Sequence, residues 1–239
     1  MSEYWLILVA FVTSSIAAVF GMGGGVLLIT LMAGLVPPAA IIPIHAATQL
    51  ASNGSRALFG WRHIDTSLII PFIVGAVLGV LLGGQLYQNL QLQWLPAIIG
   101  VVILVITWLP LPTVRGIGNW PLVLLGFYQT GLGMLIGATG PLGAAVLAQR
   151  KQERDWLVVN TGVYMSCNHL LRIAAFGAMG FAFSDYLMLM LGMIVGVVAG
   201  SWLGTRLRQY VPQGNFQLWF KLLVSAMAVR MIAITWMGS

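Results

Sequence analysis

Charge is what this chain has least of. Only 7% of its 239 residues are charged, with five acids against eleven lysines and arginines. A soluble domain carries roughly a quarter charged residues. That class is excluded, and a content of 59% hydrophobic residues points to a membrane. The acids are Glu3, Asp65, Glu153, Asp155 and Asp185, and none lies at the centre of an apolar stretch. Cation carriers and carboxylate proton relays usually place one there, which weighs against a cation substrate. A single cysteine, Cys167, rules out an intrachain disulfide and reads as a small packing residue. No CxxC, HExxH or His/Cys cluster occurs, so a metal site has no support. No cofactor motif appears either. The net charge of +6 is scattered through short connections, where a nucleic-acid binder would gather it on one face. The chain opens Met1-Ser2-Glu3 without the positive charge of a secretory signal, and the first apolar segment is read as retained.

What is present is a series of apolar segments, approximately 4–36, 38–60, 66–87, 92–110, 119–149, 156–180, 184–205 and 215–237. A helix that crosses a bilayer needs ~20 such residues. Trp5, Trp61, Trp94, Trp108, Trp120, Trp156, Trp219 and Trp236 sit at or near segment ends, as in an aromatic belt. The first segment is interrupted by Gly21-Met22-Gly23-Gly24-Gly25. The fifth is interrupted by Gly137-Ala138-Thr139-Gly140-Pro141, 116 positions later.

The two halves match elsewhere too. The ladder Gly75, Gly79, Gly83 returns as Gly192, Gly196, Gly200, and Arg56 corresponds to Arg172. The expected architecture is therefore an all-α polytopic membrane domain over 1–239, built from two repeats of four segments, 1–115 and 116–239. Charge sets their orientation. Connections 61–65, 111–118, 150–155 and 206–214 carry the lysines and arginines, while 88–91 and 181–185 carry none. The positive-inside rule places the first four in the cytoplasm and the other two outside. Equivalent loops then fall on opposite sides, so the repeats are inverted. Each broken segment must then contribute an even number of crossings: it either dips in and returns, the favoured reading because residues 26–36 are short for a full span, or crosses twice with short helices, with its turn at the glycines.

Paired breaks in corresponding segments mark a transporter's binding site. The helix after each break begins near residue 25 or 141, and its first N–H groups form an anion site. This selects Gly23, Gly24, Gly25, Thr139, Gly140 and Pro141. Polar stripes on the following segments add ligands. His45, Thr48, Gln49, Ser52, Asn53 and Arg56 share one helical face, and Asn160, Tyr164, Asn168 and Arg172 recur every four residues. Such residues either line a wet cavity or join helices. Arg56 is a gating or charge-pairing residue unless it snorkels to the interface. Arg172 lies deeper and suits a substrate or gate. Arg230 suits a carbonyl, and Lys221 the interface. His45 and His169 are the titratable candidates for proton coupling.

Together these residues resemble the sulfite exporter family of the TauE/SafE type. The resemblance rests on the Gly21–Gly25 run, Ala46-Ala47-Thr48, the Arg62-His63-Ile64-Asp65 loop, Gly137-x-Thr139-Gly140-Pro141, Asn168 with Arg172, and both glycine ladders. The sequence departs from the family at Thr48-Gln49, where Thr-Ser often follows, and at His45. The resemblance implies a bacterial or archaeal inner-membrane carrier of sulfite, sulfoacetate or a related organosulfonate, without a cofactor. It also implies a small anionic substrate and contact with the lipid bilayer. H+ or Na+ coupling is compatible, and nucleic acid is not expected. Three other readings stand beside it: a carrier or channel for another anion, a non-transporting membrane scaffold, and an intramembrane enzyme with Ser52 or Ser166 as nucleophile and His45 or His169 as base. No nucleophile elbow supports the last.

Overall fold

The computed structural model describes residues 2–21, 23–109, 119–151, 153–211 and 216–237. Met22, Arg115 with most of its loop, part of the 206–214 connection and the boundary between the two expected repeats lie outside them. The described residues form ten α-helices: α1 (Trp5–Phe20), α2 (Gly24–Met32), α3 (Pro38–Phe59), α4 (Ile69–Gln88), α5 (Leu95–Trp108), α6 (Trp120–Ile136), α7 (Gly140–Ala148), α8 (Arg154–Ala178), α9 (Leu187–Leu207) and α10 (Phe216–Met237).

Both breaks fall where the glycines stand. Gly21 ends α1 at φ +85°, its N–H closing on the carbonyl of Ala17, and Gly23 precedes α2 at φ +96°. Gly137 ends α6 at φ +75° and closes on Gly133. These left-handed backbones suit glycine and exclude most side chains. Pro141 sits in the first turn of α7, where its missing N–H costs nothing. Each helix after a break has nine residues, a rise of about 14 Å. That is about half a hydrocarbon core. Each also folds back on its predecessor. Gly24 lies on the carbonyl of Thr13, and Gly143 lies on the amide of Gln129.

The glycine ladders bring backbones together. A Cβ at Gly75, Gly79 or Gly83 of α4 would strike the carbonyl oxygen of Val123, Phe127 or Gly131 of α6. In the other half, Gly196, Gly200 and Gly204 of α9 lie on the carbonyls of Ile7, Phe11 and Ser15 of α1. The ladder of the second half is thus used one turn later than the sequence match suggests: Gly192 meets the Ile7 side chain, and Gly204 closes the row. In both pairs the residue numbers rise together, so the helices run parallel. In α3 and α8 they run opposite ways, with His45 beside His169 and Gly162 on the Asn53 carbonyl. The same holds for α5 and α10, where Trp94 meets Trp236 and Trp108 Nε1 donates to Ser225 Oγ.

Three helical stretches, Thr66–Gln88, Phe183–Leu207 and Leu218–Met237, are long and apolar enough to cross a membrane. They present Leu78, Leu82, Leu191, Val195, Leu222 and Val229 outwards. Lipid accepts such surfaces and water does not. Helices α3 and α8 are as long but carry the polar stripes, and most of those polar residues are buried. Trp5, Trp61, Trp108, Trp120, Trp219 and Trp236 are exposed near helix ends as expected. Trp156 departs from the belt: it is buried, with the Lys151 ammonium over its ring.

Candidate functional site

The broken helices and the polar stripes meet. A cavity of about 30 Å³ is walled by Gly23, Gly24 and Gly25 at the start of α2, and by Gly140 and Pro141 at the start of α7. Helix α3 contributes His45, Gln49, Asn53 and Arg56, and α8 contributes Thr161, Met165 and His169. The 116-residue offset governs this wall. His45 pairs with Thr161, Gln49 with Met165, Asn53 with His169, Gly24 with Gly140, and every member lines the same space.

The hydrogen bonds show which groups are committed. His45 Nε2 lies 2.9 Å from the Gly25 carbonyl. A carbonyl only accepts, so the neutral ring carries its proton on Nε2 and leaves Nδ1 bare. Asn53 Nδ2 donates to the Gln49 carbonyl at 2.7 Å, and Arg56 Nη2 donates to Asn53 Oδ1. Arg172 Nη1 donates to the Gly137 carbonyl at 2.9 Å and lies 3.3 Å from His169 Nδ1. Since arginine only donates, the His169 proton is on Nε2.

The uncommitted buried groups are mostly donors. Among the described residues, Gln49 Nε2, Arg56 Nε and Nη1, His169 Nε2, and Arg172 Nε and Nη2 have no partner. Among the described residues no carboxylate forms an ion pair with Arg56 or Arg172. Arg56 is 4% exposed, so it does not snorkel to the interface. An unmet buried donor costs about 1–3 kcal/mol, more when charged. Water relieves part of that cost. An oxyanion supplies acceptors and the missing negative charge together. The half-helix N-termini add oriented N–H groups.

Other sequence candidates lie beside the cavity rather than on its wall. Thr48 Oγ1 donates weakly to Met193 Sδ at 3.9 Å. Ser52 belongs to a hydroxyl cluster in which Ser14 Oγ is 2.7 Å from both Ser52 Oγ and Ser201 Oγ, joining α1, α3 and α9. Tyr164 stacks on Phe72 with ring centres 4.6 Å apart. Asn168 Nδ2 donates to Thr130 Oγ1 at 3.2 Å. Thr139 offers its carbonyl to Gln129 Nε2 at 3.0 Å. Arg172 is fully buried behind the second break. Asn160 pins the 61–65 connection to α8 through Asp65 N and the His63 carbonyl. Arg230 Nη1 donates to the Ala33 carbonyl at the end of α2, and Lys221 sits over the Trp108 ring. Cys167 packs at the edge of an apolar cluster.

Thr161, Met165 and His169 were not selected from sequence as ligands, and neither was Gln129, which braces the second break. The repeat offset applied to His45, Gln49 and Asn53 points to the first three. Gln129 corresponds to Thr13, whose backbone carbonyl lies under Gly24 while its hydroxyl bonds back within α1 to Val9 and Ala10.

A family model, Sulfite exporter TauE/SafE, matches residues 6–231. The chain belongs to the sulfite exporter TauE/SafE family. It is accordingly a membrane protein of a transporter family, and the match spans both breaks and both stripes. No curated protein and no solved structure matches it significantly.

Proposed function

We propose that this chain is a secondary carrier for a small sulfur-containing anion, such as sulfite, sulfoacetate or a related organosulfonate. It works in a bacterial or archaeal inner membrane by alternating access between inverted repeats 1–115 and 116–239. The observation that carries the reading is the central cavity, whose unpartnered groups are mostly donors and which, among the described residues, no carboxylate neutralises. Family membership supports the sulfur oxyanion. The antiparallel packing of α3 with α8 and of α5 with α10 supports inversion. So does the exchanged pairing, α1 with α9 and α4 with α6.

The anion binds between Gly24–Gly25 and Gly140, with Gln49, Asn53, Arg56, His45 and His169 around it. Thr48, Ser52, Thr139, Tyr164, Asn168 and Arg172 hold that wall in place. A cavity of about 30 Å³ admits about two waters, so an oxyanion enters only when the half-helices or the Gln49 and Arg56 side chains move. That movement is the access step, one repeat rocking against the other. No charged ligand of opposite sign has to be displaced, and energy comes from ion gradients, with H+ the candidate at His45.

The test is flux of labelled sulfite and sulfoacetate into proteoliposomes, with sulfate and chloride as competitors. Saturable flux that sulfur anions block is expected. Its absence, from folded and inserted protein, overturns the reading in favour of a scaffold or another solute.

A further inference from the structure

A second, larger cavity lies in line with the first along the α3–α8 seam. One turn beyond Arg56, Phe59 and Gly60 line it from α3, and Val159, Asp155 and Arg154 line it from α8. The end of α9 closes the third side with Arg206 and Arg208. Its volume is about 570 Å³, ample for a hydrated organic anion. On its wall, where α3 meets α8, Gly60 approaches Val159 so closely that a Cβ there would overlap the Val159 methyl.

This vestibule is cationic beyond what its acids neutralise. Arg62, Arg154, Arg206 and Arg208 line it with one carboxylate, Asp155, which Arg208 holds at 2.7 Å. Glu153 is taken up by Lys151 at 2.6 Å and lies 3.5 Å from His63. Arg208 and Arg154 form a fixed floor. Arg208 Nε donates to the Ala18 carbonyl and Arg154 Nη2 to the Val19 carbonyl, both at the end of α1. Arg154 Nε is buried without a partner. Burial draws the Arg208 pKa below its ordinary value and Asp155 opposes that shift. An arginine keeps its proton at neutral pH regardless. Arg62 and Arg206 form an exposed rim, each over a neighbouring tryptophan and free of any ion pair among the described residues.

Charges on low-dielectric walls focus field lines and raise the local concentration of counter-ions. We infer that the vestibule is a second anion site, an antechamber for small sulfonate- or sulfate-like oxyanions, from which they pass over Arg56 when the Gly60–Val159 seam parts. This rests on the carrier reading for its purpose, though not for the binding itself. A lipid headgroup carries the same chemistry, but a site stacked one turn above the inner cavity suits a solute in transit.

The experiment places a reporter on the vestibule wall, Gln209→Cys in a Cys167→Ser background, in phosphatidylcholine vesicles. Maleimide labelling is followed with sulfoacetate or sulfate present, both inert to the reagent. Protection is expected, lost in Arg62→Gln/Arg206→Gln and restored in Arg62→Lys/Arg206→Lys. In flux, the glutamine pair raises the half-saturating concentration from the basic-loop side roughly three- to tenfold and leaves the maximal rate alone. Protection that requires anionic lipid, or none at all, overturns the inference. Saturable flux with an unchanged half-saturating concentration overturns it while leaving the carrier reading intact. Protection without flux does the reverse.

Discussion

Arg172 donates to the carbonyl of Gly137 at 2.9 Å, whereas Arg56, its counterpart 116 residues earlier, donates to Asn53 Oδ1 and, among the described residues, not to Gly21. One guanidinium locks the second break. The other turns into the cavity with Nε and Nη1 unpartnered. If the repeats exchange conformations during transport, the roles exchange as well: Arg56 takes the Gly21 carbonyl and Arg172 is released. A hydrogen bond from a charged donor is worth about 1.5–3 kcal/mol, enough to shift a two-state population tenfold or more. Arg56→Gln and Arg172→Gln are therefore expected to bias the carrier in opposite directions. The readout is the labelling rate of the Gln209→Cys reporter, raised in one variant and lowered in the other. Equal shifts in both would contradict the exchange.

Gln49 and Ser52 stand on the same face of α3 and should behave differently. Gln49 Nε2 lines the cavity without a partner, and Ser52 is spent in the hydroxyl cluster with Ser14 and Ser201. Gln49→Leu is expected to raise the half-saturating anion concentration about tenfold, the loss of one hydrogen bond to a charged ligand. Ser52→Ala is expected to keep transport and lower stability by about 0.5–1.5 kcal/mol. Flux titrations and thermal unfolding of the two variants separate these outcomes.

That contrast shows how far the sequence could be read. Apolar length and glycine spacing located the helices and both breaks, because lipid leaves few alternatives for backbone groups; the ladders marked close-packing faces without naming the helices that meet them. The polar stripes located α3 and α8 at the centre. What a stripe does not reveal is which of its flanks meets solvent. On α3 the column through His45, Gln49 and Asn53 faces the cavity, and the column through Thr48 and Ser52 faces α9 and α1. On α8 the column through Tyr164, Asn168 and Arg172 faces α4 and α6. The cavity column there includes Met165, whose thioether gives no polar signal. The vestibule was also hidden, since its arginines come from three connections that meet only in the fold.

Glycines of similar appearance should also part company. A methyl at Gly79 would collide with the Phe127 carbonyl, and one at Gly24 with the Thr13 carbonyl. Neither backbone can yield cheaply. A Cβ at Gly140 meets nothing within 4 Å, and the residue lines the cavity. Gly79→Ala is expected to cost about 1–3 kcal/mol of stability. Gly140→Ala is expected to fold normally and to weaken transport by filling the site. Unfolding midpoints alongside initial flux rates test this. A Gly140→Ala protein with wild-type flux would remove the start of α7 from the binding site.

His45 is the residue on which proton coupling is tested. Its Nε2 proton is given to the Gly25 carbonyl, and its bare Nδ1 is buried without a partner. The groups around it are His169, with ring centres 5.8 Å apart, Gln49, and the cations Arg172 and Arg56. An anion that binds between those cations brings negative charge beside the bare Nδ1. The anion and the proton then favour each other's binding, which is the linkage a symporter needs. Uptake should rise as the loading side is made more acidic, with proton movement accompanying the anion. His45→Gln keeps a donor for Gly25 but offers no titratable nitrogen, so its residual flux should lose the dependence on pH. Flux measured across an imposed pH gradient, with an internal pH dye, gives the answer. If His45→Gln retains the wild-type pH profile, the proton travels elsewhere, or the gradient that drives transport is carried by Na+.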